Sequence, residues 1–155
     1  GVPLIVSHMF VFYFGILADL TPPVALACFA AAPIAKENGL RISIQAVKIA
    51  AAGFVIPYMA VYAPALMLQP GGPLAAAIGF VPAVIWITFK VVLAIGLWGS
   101  AVIGWLRRPL LAWERMLGVL AAGMLVLAHP WSDALGLLLA ALFAARILMR
   151  RPVLA

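Results

Sequence analysis

The sequence predicts an all-α integral membrane protein of about five transmembrane spans, the first of them a discontinuous helix. Three observations carry this expectation. Hydrophobic residues make up 68% of the 155-residue chain and charged ones only 9%, with a mean hydropathy of +1.24, more apolar surface than a soluble domain of this size can bury. The apolar residues fall in runs near the roughly 20 residues a span requires, rich in Ala, Leu, Gly and Ile, without the alternation of barrel strands. The polar residues concentrate in short segments between those runs.

Residues 3–35 form the first apolar run, interrupted at 19–23, and Lys36-Glu37-Asn38-Gly39-Leu40-Arg41 closes it as a loop. A second span covers about 43–68, bent by Pro57 and Pro64, and the QPGGP cluster at 69–73 is a turn. The third span runs about 83–105 and ends at Arg107-Arg108-Pro109. The fourth covers about 113–128, HPWSD at 129–133 makes a tight turn, and the fifth runs about 134–149 to Arg150-Arg151. The organisation expected is therefore a core of residues 1–68, a connector at 69–82 and a three-span unit at 83–155.

With one crossing per span, loops 36–42 and 106–112 and the C-terminus share one side, and nine of the ten basic residues fall on or near it. By the positive-inside rule that side is cytoplasmic. Trp86, Trp105, Trp113 and Trp131 lie near predicted span ends, as interfacial anchors do. The net charge of +6 thus reports topology and does not mark a nucleic-acid surface. The chain opens Gly-Val-Pro with no basic segment ahead of its apolar run, which reads as part of a longer polypeptide. Its single Cys28 excludes an internal disulfide and reads as packing.

Chemistry is sought first in the stretch GILADLTPPVALA, residues 15–27. Thr21 and Pro22 each precede a proline and are pushed out of the α region, so the helix should fail near 19–22 and resume after Pro23. Carbonyls from Gly15 to Leu20 should lose their helical partners, which hydrocarbon tolerates only inside protein or beside a wet cavity. Two half-helix ends, the Asp19 carboxylate and the Thr21 hydroxyl would then gather hard oxygen ligands near mid-membrane, the arrangement of discontinuous-helix ion sites. A plain proline kink with a structurally paired Asp19 is the alternative.

Other polar residues have simpler accounts. Lys90 reads as snorkelling to the outer interface, with a role inside the bundle as the alternative. Tyr58 and Tyr62 read as interfacial anchors or, alternatively, as lining a solute path. Glu114 complements the dipole of a helix start, topology accounts for Arg115, and Asp133 reads as an N-cap. His8 and His129 have no partner at metal-ligand spacing, and the small residues of 24–35 suit close helix packing or a sliding face.

The segments HMFVFYFGILADLTPPVALACFAAAPIA and AVKIAAAGFVIPYMAVYAPALML resemble the C-terminal end of the large membrane subunit of TRAP (tripartite ATP-independent periplasmic) transporters, closest to the fused permeases of the TAXI subgroup. The resemblance covers residues 8–68, and the last three spans resemble the C-terminal extension of those permeases. It implies an elevator-type, Na⁺-coupled importer with no cofactor beyond the coupling ion, and no enzyme. An extracytoplasmic solute-binding protein would deliver an organic acid or similar solute. Partners would be the rest of the permease, including the small membrane subunit or its fused equivalent, and the bilayer. Matched by motif, the implied ion or substrate site comprises Gly15, Asp19, Thr21, Pro22, Pro23, Val24 and Ala25, with Na⁺ at Asp19 and Thr21. Many members carry Pro-Pro-Val-Gly where this chain has Ala25. A membrane-embedded enzyme or a structural scaffold are the rival classes; the enzyme lacks a second intramembrane catalytic partner unless Lys90 supplies it.

Overall fold

A computed structural model describes residues 2–127 and 129–149, and the side chains of all of these except Ala52. The described residues form seven α-helices and no sheet: α1 (Leu4–Leu17), α2 (Leu26–Ala35), α3 (Gly39–Tyr62), α4 (Pro73–Ile78), α5 (Phe80–Ile103), α6 (Ala112–Val126) and α7 (Pro130–Met149), with a 3₁₀ turn at Pro64–Met67. Three of them, α3, α5 and α7, are long and apolar enough to cross a membrane.

The broken first span runs antiparallel beside α3. Phe10 and Phe14 meet Tyr58 edge-on, with ring centroids 5.2 and 5.9 Å apart, and Phe14 also approaches Phe54. Past the break, a Cβ on Gly39 would collide with the Phe29 ring, so glycine lets α2 lie against the start of α3. Asn38 accepts the Leu40 N–H with its side chain and starts α3 earlier than the composition of 36–42 indicates. That helix continues through Pro57, and Pro64 opens the 3₁₀ turn instead of bending a helix.

The second half is a three-helix unit. Small residues bring its helices together: a Cβ on Gly118 would lie 3.1 Å from the Ala101 side chain and 3.3 Å from Phe143, and one on Gly136 would lie 2.8 Å from Leu125. Around these contacts Leu97, Ala121, Ala122, Leu125, Ala140, Phe143 and Ile147 form a core. A second cluster of Met59, Ala63, Ala83, Ile87 and Val91 joins α3 to the first half of α5.

The connector 69–82 holds α4 and the start of α5 at Phe80, with Gly72 and Gly79 at positive φ supplying the two turns. Two expectations need correction here. HPWSD is only partly a turn, because Pro130, well suited to a first helical position, starts α7 there and places Trp131, Ser132 and Asp133 in its first turn. The helix α6 has 15 residues, about 22 Å at 1.5 Å per residue, short of a hydrocarbon layer about 30 Å thick. The hairpin of α6 and α7 therefore ends beside the middle of α5, where Val126 packs on the cluster containing Val91.

The basic residues do gather at one end of the bundle. Arg115 donates to the Ala101 and Val102 carbonyls at the end of α5, at 2.7 and 2.9 Å. Arg146 lies over the Trp113 ring, and Arg108 pairs with Glu114 through two hydrogen bonds of 3.0 and 2.6 Å. Glu114 also accepts the Leu111 N–H, so it is a buried, paired carboxylate besides completing a helix start. The hydrogen bonds that Arg108 donates to Glu114 raise the Arg108 pKa, burial opposes this, and the Glu114 charge adds to the rise. Arg150, Arg151 and the C-terminus lie outside the described residues.

Candidate functional site

The chain leaves helical geometry at Ala18 and regains it at Leu26. The Pro22–Pro23 peptide is cis, and Ala25 sits at φ 42°, ψ 38°, in the left-handed region. A residue held there cannot be helical, which is why α2 restarts at Leu26 and not directly after Pro23. Ala25 is also fully buried. An L-residue in this conformation costs about 1–2 kcal/mol, so Ala25 occupies a backbone suited to glycine.

The break largely satisfies its own backbone, contrary to the expectation of exposed carbonyls. Ile16 accepts from the Asp19 N–H, and Leu17 from the Leu20 N–H and the Thr21 hydroxyl, the latter at 2.7 Å. Ala18 accepts from the Thr21 and Ala25 N–H groups, Thr21 from Ala25, and Asp19 from the Ala27 N–H in the first turn of α2. Thus the carbonyl end of one half-helix turns onto the amide end of the other. Buried backbone groups left unpaired would be costly in hydrocarbon, and this arrangement removes that cost locally.

The Leu20 carbonyl is captured from outside the break. Ser43 on α3, fully buried, donates to it at 2.6 Å across 23 residues, and the Cys28 thiol approaches it at 3.9 Å. Sequence reasoning missed Ser43 and read Cys28 as packing alone; a serine in the second turn of an apolar helix was the available signal. Ser43 lies four residues into α3, so the break sits beside the start of that helix.

The seven expected site residues do not share one environment. Asp19 is exposed, and its carboxylate makes no hydrogen bond or ion pair with the described residues. Thr21 is half-buried and keeps its oxygen lone pairs after donating to Leu17. Pro22 is half-buried, Pro23 and Val24 are exposed, and Ala25 is buried. Gly15 lies exposed on α1, where an added Cβ would meet nothing within 4 Å, so no close approach within this chain requires glycine there. Asp19 and Thr21 are the oxygen-bearing side chains within the break at 18–25. No cluster of three or more His, Cys, Asp or Glu that could hold a metal ion occurs among the described residues.

A second polar locus corrects two readings. Lys90 does not snorkel: it is 3% exposed, and its ammonium donates to both Asp133 carboxylate oxygens at 2.8 Å. Asp133 is therefore no N-cap; it meets Lys90 because the α6–α7 turn ends beside the middle of α5. Ser132 instead bonds the turn, donating to the Leu127 and His129 carbonyls. A cavity of about 260 Å³ adjoins the pair, bordered by Tyr62, Ile87 and His129.

The architecture defines a helical membrane protein built on a broken apolar helix with a carboxylate and a hydroxyl at the break. Residues 1–75, just under half of the chain, match the family described as Tripartite ATP-independent periplasmic transporter, DctM component. The match takes in the broken helix, α3, the 3₁₀ turn and the start of α4. No curated protein and no solved structure matches the chain.

Proposed function

We propose that the chain is part of the membrane permease of a TRAP transporter, a secondary importer rather than an enzyme, in which the break at 18–25 contributes to a Na⁺ site. The observation that carries this reading is the coincidence of the DctM match with the break. There the backbone is largely satisfied by the break itself and by Ser43 of α3, while the Asp19 carboxylate faces outward and the Thr21 oxygen keeps acceptor capacity. Two hard oxygen donors on a rigid turn suit a small cation that receives its remaining ligands from another element. The rest of the permease would supply that element and cover the exposed face of Asp19. Delivery of an organic acid by a solute-binding protein, a fused TAXI-type organisation, an elevator motion and a cytoplasmic basic face belong to the same reading.

The test uses the complete permease with its binding protein. Asp19→Asn and Thr21→Ala should each raise the Na⁺ concentration needed for half-maximal uptake, Asp19→Asn by at least tenfold if it removes a charged ligand worth about 1.5–3 kcal/mol. Unaltered Na⁺ dependence in both variants at normal expression would refute the ion-site assignment.

A further inference from the structure

We infer that the cleft between α3, α5 and α6 at the basic end of the bundle is a binding site for one anionic phospholipid. The cleft has a volume of about 810 Å³ and is walled by Gln45 and Lys48 of α3, Trp98 of α5, and Arg115, Met116 and Leu120 of α6. Among the described residues no carboxylate borders it. Lys48 is exposed and its ammonium is unpaired among the described residues. Arg115 spends Nε and one Nη2 N–H on the Ala101 and Val102 carbonyls, which leaves three of its five donors free. Two cations from different helices thus face one cleft without a counter-charge on its walls.

Both heads lie toward the basic end of the bundle. Side chains lean toward the N-terminus of their helix, and Lys48 and Arg115 lie in the first halves of α3 and α6, which both start at the basic end. The cleft is also held in shape without a ligand, because the Trp98 indole N–H donates to the Lys48 carbonyl at 2.9 Å and ties α3 to α5. Around the cations the wall is apolar, with Ile103, Met116 and Leu120 65%, 65% and 54% exposed. Inorganic phosphate would match the cations and leave that wall bare. A zwitterionic lipid would cover the wall with no net charge for the cations. A lipid with a net negative headgroup matches both, as basic pockets between transmembrane helices do.

The experiment is lipid retention by the complete permease in detergent, read by native mass spectrometry with dioleoylphosphatidylglycerol or dioleoylphosphatidylcholine. Phosphatidylglycerol should be retained in preference to phosphatidylcholine. Lys48→Gln should weaken that retention about fivefold, the effect of one cation near an anionic headgroup. Lys36→Gln, a basic residue outside the cleft, should leave it unchanged. A photo-crosslinking residue at Met116 should gain the mass of one phosphatidylglycerol in vesicles. Equal retention of the two lipids, equal loss in Lys36→Gln and Lys48→Gln, or crosslinking at 116 to protein in place of lipid would each overturn the assignment.

Discussion

Lys90→Met removes the ammonium from the Lys90–Asp133 pair while keeping a flexible chain of similar length in place. At a 2.8 Å separation the attraction is about 6 kcal/mol gross for an effective dielectric of 20, and desolvation of both ions offsets much of it. What the single variant measures is the carboxylate left behind: Asp133 is only 18% exposed, and breaking a buried pair from one side costs about 3–5 kcal/mol. Asp133→Leu should cost at least as much, because Lys90 is 3% exposed and has less water to turn to. The double variant Lys90→Met/Asp133→Leu removes both charges and should return to within about 1 kcal/mol of the parent, since an apolar replacement of a buried pair is often neutral or better. Unfolding of the complete permease in mixed micelles titrated with SDS, followed by tryptophan fluorescence, gives all four corners of the cycle. A loss below about 1 kcal/mol in Lys90→Met, the size of an exposed pair, would show that the ammonium reaches water and that the buried pair is wrong. A double variant as unstable as the singles would show that the charges hold more than each other.

Ser43→Ala strips the hydroxyl from the buried Leu20 carbonyl and should lower stability by about 1–3 kcal/mol; no change in the same titration would mean that the break does not depend on α3. At Ala25, glycine should be tolerated within about 1 kcal/mol, because relief of positive φ is offset by the loss of a buried methyl. Ala25→Val should be far worse, since a β-branched residue is poorly accommodated at φ 42°, and normal folding of the valine variant would contradict the left-handed turn. Single cysteines at Lys36 and Arg107, in a Cys28→Ala background, should react with an impermeant maleimide from the same side of the membrane; labelling from opposite sides would break the shared basic end.

The sequence by itself determined those properties that depend on neighbours along the chain. Long apolar runs with sparse charge imply membrane helices whatever their packing, and two consecutive prolines interrupt a helix through their own covalent geometry. Sorting of the basic residues to alternate connections likewise needs only the order of the spans. Tertiary structure decided the pairings. Asp133 read alone is a plausible cap, and Lys90 read alone can snorkel; only the short α6 helix, which ends the hairpin beside the middle of α5, brings residues 43 positions apart into one ion pair. In the same way the prolines announced that carbonyls near the break would be orphaned, but not where replacements would come from. Those came from the N–H of Ala27, from a left-handed Ala25, and from Ser43 on another helix. The physical reason is common to both cases. In a low-dielectric interior each unpaired charge or carbonyl carries a penalty of several kcal/mol, so its partner is set by whichever polar group the packing of apolar helices brings within about 3 Å, irrespective of distance along the chain.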